Sequence, residues 1–383
     1  MFSSRLPGAL GPNALAAAVD RLRTSGTPYI DLTVTNPTSS AVGLQYPADL
    51  LKALSSPAAL AYAPEPLGMP AARAAVAREF ARQGLAVPPD RVVLTSSTSE
   101  AYSLLFKLLC DAGDEVLIPQ PSYPLFDLLS RLDEVRAVPY RLQEHAGWSI
   151  DRASVERALT PNTRAILVVS PNNPTGSFIS AEDSAWLAEL TAERGVALIA
   201  DEVFADYEIQ RRSAPSAFPA CLSFRLGGLS KSAGLPQVKL GWIGVDGPDR
   251  EVSDALARLE LICDTYLSVA TPVQVAAPSL IEGGAAVRAA ILARIRRNLA
   301  ALRTLVADRV DVTLLEPTAG WSVVMQMPAT DTEEQMVLRL LNDRGVLVHP
   351  GYFFDFDHEA FLVLSLLPEE SVFADGVTRV LAR

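Results

Sequence analysis

A rare lysine is the residue of this 383-residue sequence whose type and setting best suit covalent chemistry. Lys231 follows an apolar run and Ser230, and it is one of only four lysines among 33 lysine and arginine residues. A lysine amine can lose its proton and form an imine, whereas a guanidinium stays protonated. Lys231 is therefore a candidate nucleophile, although a solvated loop lysine explains this stretch alone about equally well.

Two further motifs offer a carboxylate and an amide. Asp201 ends a wholly apolar run, where a carboxylate is costly unless it meets a cation, and a helix cap is the simpler alternative. Asn173 lies in Ser170-Pro-Asn-Asn-Pro-Thr-Gly176, whose prolines and glycine are typical of a rigid turn. Such a turn fixes the amide side chain, which makes Asn173 a candidate donor to a ligand oxygen.

A cluster of hydroxyl residues precedes a helical pattern that begins near residue 99. Free backbone N–H groups and hydroxyls at a helix start bind anions, so Ser97, Thr98 and Ser99 are candidate phosphate ligands. The same stretch contains Ser97-x-x-Glu100, which is typical of a capping box. The two interpretations are compatible with each other.

These motifs each lie at the end of an apolar run of strand type. From residue 91 such runs alternate with helical patterns, which predicts an α/β fold with a mostly parallel sheet sandwiched by helices. The seven predicted strands are 92–95, 115–118, 135–140, 165–169, 196–200, 223–229 and 238–245. Ligands of open α/β sheets bind beyond the carboxyl ends of the strands, so the motifs are expected to converge there.

The length of the chain predicts two domains. Residues 1–44 are assigned to an N-terminal arm and part of a small domain, and residues 45–275 to the large domain. Residues 276–383 contain a strand–helix–strand pattern and are assigned to a smaller α+β domain. We expect Asn13 to cap a first helix and Pro70 to begin another, because proline suits a first helical position.

Charge and composition exclude several classes of protein. The net charge of −11 and the lack of a basic cluster argue against nucleic-acid binding. No apolar run reaches the roughly 18 residues of a membrane span, and the N-terminus does not resemble a signal peptide. Three unevenly spaced cysteines match no metal-binding pattern and suggest a reducing compartment. A cytoplasmic protein without a bound metal is the expectation.

Three motifs in fixed order resemble those of the class I/II aminotransferases, which are pyridoxal-phosphate enzymes of fold type I and include aspartate aminotransferase. They are Asn172-Asn-Pro-Thr-Gly176, Asp201-Glu-Val203 and Ser230-Lys-x-x-Gly-Leu-Pro-x-x-Lys-Leu-Gly-Trp242. The resemblance extends over nearly the whole chain, from Asn36-Pro37 to the last predicted strand. Pyridoxal phosphate is the cofactor that it implies, and the joint motifs outweigh the alternative of a loop lysine.

The resemblance assigns a role to each motif residue. Lys231 would form the Schiff base with the cofactor and act as the base that moves the substrate's α-proton. Asp201 would pair with the pyridinium nitrogen and keep it protonated. Asn173 would donate to the ring's phenolic oxygen, and Tyr123 would stack on the ring.

The same resemblance implies a phosphate site and a partner subunit. Tyr62 matches the tyrosine that reaches the phosphate of the neighbouring subunit, which implies a homodimer with a shared active site. The residues that would surround the phosphate are Ser97, Thr98, Ser99, Ser230 and Lys239.

Several positions depart from the family pattern in the cofactor half of the site. Phe204 stands where a tyrosine is usual, so the phenolic oxygen would lack a hydroxyl donor. Lys239 replaces an arginine that binds the phosphate. A lysine ammonium is a compact charge and lacks the paired, parallel N–H donors of a guanidinium, so its phosphate binding is less directional. Ser97 replaces a glycine, and Gly228 stands where a hydroxyl residue is usual. The phosphate site is therefore expected to be rearranged relative to the family pattern.

The largest departure concerns the substrate. Val363 occupies the position of the arginine that binds the substrate α-carboxylate as a bidentate fork. Either another arginine serves, or neutral donors hold the carboxylate, or the substrate has none there. Asn36, Trp321 and Tyr352 are the other candidate substrate contacts, and His349 lies beside Tyr352 in sequence.

Transamination is the function that the resemblance implies. An amino group would pass from an amino acid or related amine to a 2-oxo acid by a ping-pong mechanism. A lyase or decarboxylase that uses the same cofactor is the main alternative. The cofactor ring accepts electrons from the cleavage of several different bonds, so the cofactor alone does not define the reaction. A non-enzymatic regulator is disfavoured, because only about 30 residues precede the predicted body and they show no DNA-binding helix-turn-helix.

Overall fold

The computed structural model describes residues 2–8, 11–145, 147–211, 218 and 220–382. The strands, in chain order, are β1 Ile30–Asp31, β2 Val92–Thr95, β3 Glu115–Gln120, β4 Arg136–Glu144, β5 Trp148–Ile150, β6 Thr163–Val169, β7 Ala197–Asp201, β8 Ser223–Gly228, β9 Gly241–Asp246, β10 Thr313–Leu315, β11 Ser322–Gln326, β12 Val346–Leu347, β13 His349–Pro350 and β14 Phe361–Ser365. The α-helices are α1 Ala14–Ser25, α2 Pro70–Arg82, α3 Thr98–Leu109, α4 Phe126–Leu132, α5 Arg152–Ala158, α6 Ala181–Arg194, α7 Leu229–Ser232, α8 Asp249–Tyr266, α9 Thr271–Val306, α10 Glu333–Arg344 and α11 Glu370–Leu381. Short 3-10 turns lie at Lys52–Ser55, Pro57–Leu60, Pro89–Arg91, Pro236–Val238 and Gly351–Phe354.

The large sheet has eight strands in the order β2-β9-β8-β7-β6-β3-β4-β5. The run from β8 to β4 is parallel, whereas β2, β9 and β5 pair in antiparallel fashion. All seven predicted strands are present, which confirms the α/β prediction. The eighth strand, β5, lies at the sheet edge and was not predicted. It has only three residues, too few to show the alternation of apolar and polar residues that indicates a strand.

A second sheet is built from the C-terminal part of the chain. Its order is β10-β11-β14-β13, with antiparallel pairing throughout. The N-terminal segment joins this part of the molecule, because β1 pairs in parallel with β12. The predicted smaller α+β unit is thus present, and it includes residues from both ends of the chain.

Helix α9 runs without interruption from Thr271 to Val306, across the predicted domain limit at residue 275. Pro272 lies in the first turn of α9, a position that proline suits. The limits 1–44, 45–275 and 276–383 stay a prediction.

Within the described residues, α9 is the one helix whose length and composition suffice to cross a membrane. Its Leu280, Ile291 and Leu299 are completely buried in protein. Arg288, on the same helix, forms an ion pair with Glu79. Core helices of globular proteins can have the same length and composition, so these two properties do not by themselves indicate a membrane span.

Local signals predicted two helix starts correctly. Asn13 Oδ1 accepts a hydrogen bond of 2.8 Å from Ala16 N at the start of α1. Pro70 is the first residue of α2, where its missing N–H removes no helical hydrogen bond. Side-chain capping satisfies backbone donors that a helix end otherwise leaves without partners.

Candidate active site

A cavity of about 260 Å³ lies beyond the carboxyl ends of the central strands. The ends of β6, β7 and β8 supply Val169, Asp201 and Gly228, and the second sheet closes the opposite side. The lining residues are Thr33, Thr35, Thr98, Ser99, Tyr102, Tyr123, Pro124, Phe126, Val169, Asn173, Asp201, Val203, Phe204, Gly228, Ser230, Lys231, Leu240, Trp321, Ser322, His349, Phe353, Phe354, Val363 and Ser365. Eight of the predicted cofactor residues therefore meet in one place: Thr98, Ser99, Tyr123, Asn173, Asp201, Phe204, Ser230 and Lys231.

Lys231 is held on the short helix α7, directly after β8. Its Nζ lies 5.0 Å from the ring centre of Trp321 and 5.6 Å from that of Phe204. Burial lowers the pKa of the Lys231 amine, and the Asp201 carboxylate opposes this shift only in part. The hydroxyl of Tyr207 donates to the backbone oxygen of Lys231, which fixes the segment that carries the amine.

Asp201 is the buried carboxylate of the cavity, only 7% exposed. Tyr102 donates its hydroxyl to Oδ2 at 2.6 Å, and Val203 N donates to Oδ1 at 3.1 Å. Burial raises the pKa of Asp201, while these two hydrogen bonds and Lys231 lower it. No sequence pattern indicated a role for Tyr102, because its place on the buried face of α3 follows the ordinary apolar spacing of a helix.

The predicted phosphate residues separate into two groups. Thr98, Ser99 and Ser230 line the cavity, at the first turn of α3 and beside Lys231. Ser97 instead caps α3, since its Oγ accepts from Glu100 N at 3.1 Å. Glu100 accepts from Ser96 N instead of Ser97 N, so the predicted capping box is only half formed.

The glycine at position 228 has a local steric reason. A Cβ there would lie 3.0 Å from Leu240 O and 3.1 Å from the Cα of Gly241. A hydroxyl side chain of the usual family type therefore does not fit this backbone without a shift. The hydroxyls that face the cavity come from neighbouring positions, such as Ser230.

Four predicted site residues, besides Ser97, lie outside the cavity. Lys239 is exposed, has a left-handed φ of 60° and is not among the residues that line the cavity. Tyr62 is 77% exposed on a separate groove. Asn36 is exposed, and its Oδ1 accepts from Thr38 N at 3.0 Å. Tyr352 is 39% exposed and packs edge-on against Phe353.

The cavity wall that the second sheet forms contains Trp321 and Val363, both 2% exposed, together with His349. Phe204 packs edge-on against Trp321, with ring centres 5.5 Å apart. No arginine lines the cavity in the described part of the chain, and Lys231 and His349 are the only basic side chains there. Burial lowers the pKa of His349, which keeps its imidazole neutral.

Comparison with known proteins agrees with this architecture. The model of the family "Aminotransferase class I and II" matches residues 29–372. Alanine aminotransferase of Mycobacterium tuberculosis is 28% identical over 374 residues, covering 94% of this chain and 86% of that protein. Glutamate-pyruvate aminotransferase AlaA of Escherichia coli is 25% identical over 359 residues, covering 90% and 88%.

Solved structures give the same result at the level of the fold. Alanine aminotransferase from Pyrococcus furiosus superposes with a TM-score of 0.89 at 22% identity, covering 99% of this chain and 98% of that one. Aspartate aminotransferase from Thermus thermophilus with maleate superposes with a TM-score of 0.83 at 25% identity, with the same coverage. The family match, which spans most of the chain and includes the motifs at Asn173, Asp201 and Lys231, shows that this protein belongs to the class I and II aminotransferases.

Proposed function

We propose that this aminotransferase binds pyridoxal phosphate in the cavity and transfers the amino group of an amino acid to a 2-oxo acid. The observation that carries the proposal is that Lys231 and Asp201 line one cavity at the carboxyl edge of the sheet. A buried carboxylate needs a cation, and Lys231 is a cation that lowers the pKa of Asp201. A protonated pyridine nitrogen supplies a second one, so the site fits the cofactor.

The cofactor, when bound, supplies the electron sink for the electrons released when the substrate's Cα–H bond breaks. Lys231 supplies the proton-accepting group, because burial lowers the pKa of Nζ and increases its neutral fraction at physiological pH. Tyr207 holds the backbone at Lys231 in place while Nζ moves the proton. Asp201 holds the positive charge of the pyridine nitrogen by charge pairing.

The anionic end of the cofactor would lie at the N-terminus of α3. This helix has 12 residues, and its first-turn N–H groups, with the hydroxyls of Thr98, Ser99 and Ser230, form a donor-rich end of the cavity. Asn173 and Tyr123 are the remaining cofactor contacts that we propose. Tyr123 is 37% exposed, which leaves its ring accessible from the cavity.

We further propose that the active unit is a homodimer. Tyr62 is 77% exposed and does not line the cavity of its own subunit. It would instead reach the cofactor phosphate of the partner subunit. Leu60 and Tyr266 are also exposed, at 90% and 57%, and Tyr62 and Tyr266 line one groove. Exposed apolar side chains grouped in this way are typical of a protein interface.

Half-reaction spectroscopy tests the proposed function. The protein loaded with pyridoxal phosphate should lose its visible band on addition of L-alanine or L-glutamate and regain it with pyruvate or 2-oxoglutarate. The Lys231→Ala variant should bind the cofactor without turnover, whereas Lys107→Ala, an exposed lysine paired with Asp133, should behave as wild type. Release of ammonia or carbon dioxide without an acceptor would instead favour a lyase or decarboxylase.

A further inference from the structure

The 3-10 turn Gly351–Phe354 supplies an apolar part of the cavity wall on the side of the second sheet. Phe353 and Phe354 of this turn line the cavity, as does Val363 of β14. Phe354 and Val363 belong to one buried apolar cluster, and Phe353 packs against it while it stays partly exposed. The other members of the cluster are Val324, Phe356 and Phe361. A ligand group that lies against this wall therefore meets hydrocarbon, chiefly that of Phe353.

A buried carboxylate fixes the backbone of this turn. Glu333, the first residue of α10, is only 1% exposed. Its Oε2 accepts a hydrogen bond from Tyr352 N and its Oε1 accepts one from Phe361 N, both at 2.7 Å. These bonds satisfy the buried carboxylate and join the turn to the start of β14. Gly351 permits the close approach, because a Cβ at that position would lie 2.8 Å from Glu333 Oε1.

A hydrogen bond on the other side ties the turn to the segment that follows β3. Ser122 N donates to Phe354 O at 3.0 Å, and Ser122 directly precedes Tyr123, the proposed stacking residue. The His349 ring packs against both aromatic side chains of the wall, with ring centres 5.7 Å from Phe353 and 5.8 Å from Phe354. The turn is thus held from both sheets, so the wall has its shape before a substrate binds.

The electrostatics of the cavity disfavour an acidic substrate side chain. Of the described residues that line the cavity, only Lys231 and His349 are basic. Lys231 is the amine that is proposed to react, and burial lowers the pKa of His349, which favours its neutral form. A carboxylate placed against Phe353 would lose hydration without gaining a cation. An apolar side chain in the same place gains free energy from burial.

We propose that the turn Gly351–Phe354 selects amino donors with an apolar side chain over acidic ones, and that Glu333 is the positioning residue for this selection. The inference rests on the proposed aminotransferase function and specifies its substrate class. The proposed cofactor contacts Asp201 and Lys231 lie at the strand ends, which leaves the opposite wall to the substrate. Contact of a single methylene group with an apolar pocket changes kcat/KM by roughly 10-fold to 200-fold, so this wall is sufficient for selection.

The first test compares L-leucine with L-aspartate on the cofactor-loaded wild-type protein. The two side chains have a similar branched shape and the α-carboxylate is common to both, so the comparison isolates the charge of the side chain. In the spectroscopic half-reaction, kcat/KM for L-leucine should exceed that for L-aspartate by at least about 10-fold. A smaller ratio, or a preference for L-aspartate, would overturn the proposal and would indicate a cation from elsewhere in the assembly.

The second test changes the partly exposed ring of the wall. Phe353→Ser removes its apolar surface, so the preference for L-leucine over L-aspartate should fall about 10-fold, mainly through a higher KM for L-leucine. Phe353→Leu keeps an apolar side chain and should retain the preference within about 3-fold. An unchanged preference in a folded Phe353→Ser variant would overturn the proposal, because a merely structural role of Phe353 does not distinguish the two substrates.

The third test concerns the positioning residue. In Glu333→Gln an amide replaces the carboxylate and has one acceptor oxygen instead of two, so one backbone N–H of the wall loses its partner. The KM for L-leucine should rise about 10-fold with little change in kcat and an unchanged Kd for pyridoxal phosphate. Glu334→Gln, at the exposed next position of α10, is the matched control and should behave as wild type.

An unchanged KM for L-leucine in a folded Glu333→Gln variant would contradict the positioning role. Should this variant fail to fold, the Phe353→Ser variant decides the question alone. Each of these results differs from failure of the proposed function, in which the loaded wild-type protein shows no spectral response to any amino donor.

Discussion

The hydrogen bond between Tyr102 and Asp201 controls the charge of the residue that is proposed to pair with the cofactor. Burial raises the pKa of Asp201, and the Tyr102 hydroxyl, 2.6 Å from Oδ2, is the largest opposing influence. Tyr102 is itself 2% exposed, and burial beside the carboxylate raises its own pKa well above 10. The hydroxyl thus stays protonated and is a permanent donor to Asp201.

Removing this donor should move the acidic side of the pH profile. In Tyr102→Phe the pKa of Asp201 rises, because the hydrogen bond that favours the charged form is lost. The acidic limb of kcat/KM should therefore shift to higher pH, with kcat lowered about 10-fold near pH 6.

Tyr140→Phe is the matched control, because Tyr140 is 1% exposed and donates to Leu167 O, away from the cavity. It should lower Tm to a similar extent without moving the limb. Identical pH profiles for Tyr102→Phe and the wild type would show that Tyr102 serves packing only.

Restoring the family tyrosine at position 204 should change the titration of the bound cofactor. Phe204 is 8% exposed and lines the cavity near Lys231, so a hydroxyl added there is well placed to donate to the cofactor's phenolic oxygen. We expect Phe204→Tyr to lower the pH midpoint of the visible band by about 1 unit.

The same substitution at Phe354, another buried phenylalanine of the cavity lining, provides the comparison. Its midpoint should equal that of the wild type, because the prediction depends on the position of the new hydroxyl. An unshifted midpoint in Phe204→Tyr would contradict the proposed contact.

At the scale of elements, a buried ionic cluster joins helices α2 and α9 to the segment after β7. Arg288 of α9 lies 3.1 Å from Glu79 of α2 and 3.6 Å from Asp206, whose side chains are only 5% and 2% exposed. Arg82 bonds the same two carboxylates. Arg288 also donates to the backbone oxygen of Ser232 at 3.3 Å, so the cluster supports the turn that carries the reactive lysine.

Truncating this cluster should destabilise the protein far more than breaking a surface pair. Arg288→Met leaves two buried carboxylates with one cation, and we expect it to lower the free energy of unfolding by about 3 kcal/mol. Arg303→Met removes a closer but exposed pair with Glu316, 2.7 Å apart and with side chains 44% and 43% exposed, and should cost less than about 1 kcal/mol.

Urea denaturation of the cofactor-free proteins measures both changes. Equal losses in the two variants would show that Arg82 alone satisfies the buried carboxylates. Cofactor-free protein is the right form for this comparison, because a ligand that binds only the folded state raises the apparent stability.

At the scale of the whole molecule, the proposed shared active site predicts a specific role for Tyr62. The loaded protein should have twice the 41.0 kDa chain mass by light scattering. Tyr62→Phe should keep that mass and weaken pyridoxal phosphate binding about 10-fold, because one hydrogen bond to a charged phosphate is lost.

Tyr266→Phe is the matched control, since Tyr266 lines the same groove and is 57% exposed. It should bind the cofactor like the wild type. A monomeric wild-type protein that turns over amino acids would refute the shared site.

Sequence patterns alone predicted the α/β class, which the fold confirms, and also named eight residues that meet in one cavity. Alternating apolar runs and helical patterns are local signals, so the seven main strands were predictable from them. Lys231, Asp201 and Asn173 stand at strand ends, and the topology of a parallel sheet brings strand ends together without further information. The edge strand β5 was missed because three residues carry too little periodicity.

Tertiary structure decided what surrounds these residues. Tyr102 meets Asp201 across 99 positions of sequence, and His349 meets Val363 through the register of β13 and β14. Lys239 has a left-handed φ of 60° and is not among the cavity-lining residues, and sequence spacing reveals neither fact. Contacts of this kind arise from packing between distant segments, whereas periodicity reports only which face of its own element a residue occupies. The sequence by itself therefore determined which reactive side chains stand at the strand ends, and the packing of the second sheet determined the wall that closes the cavity opposite them.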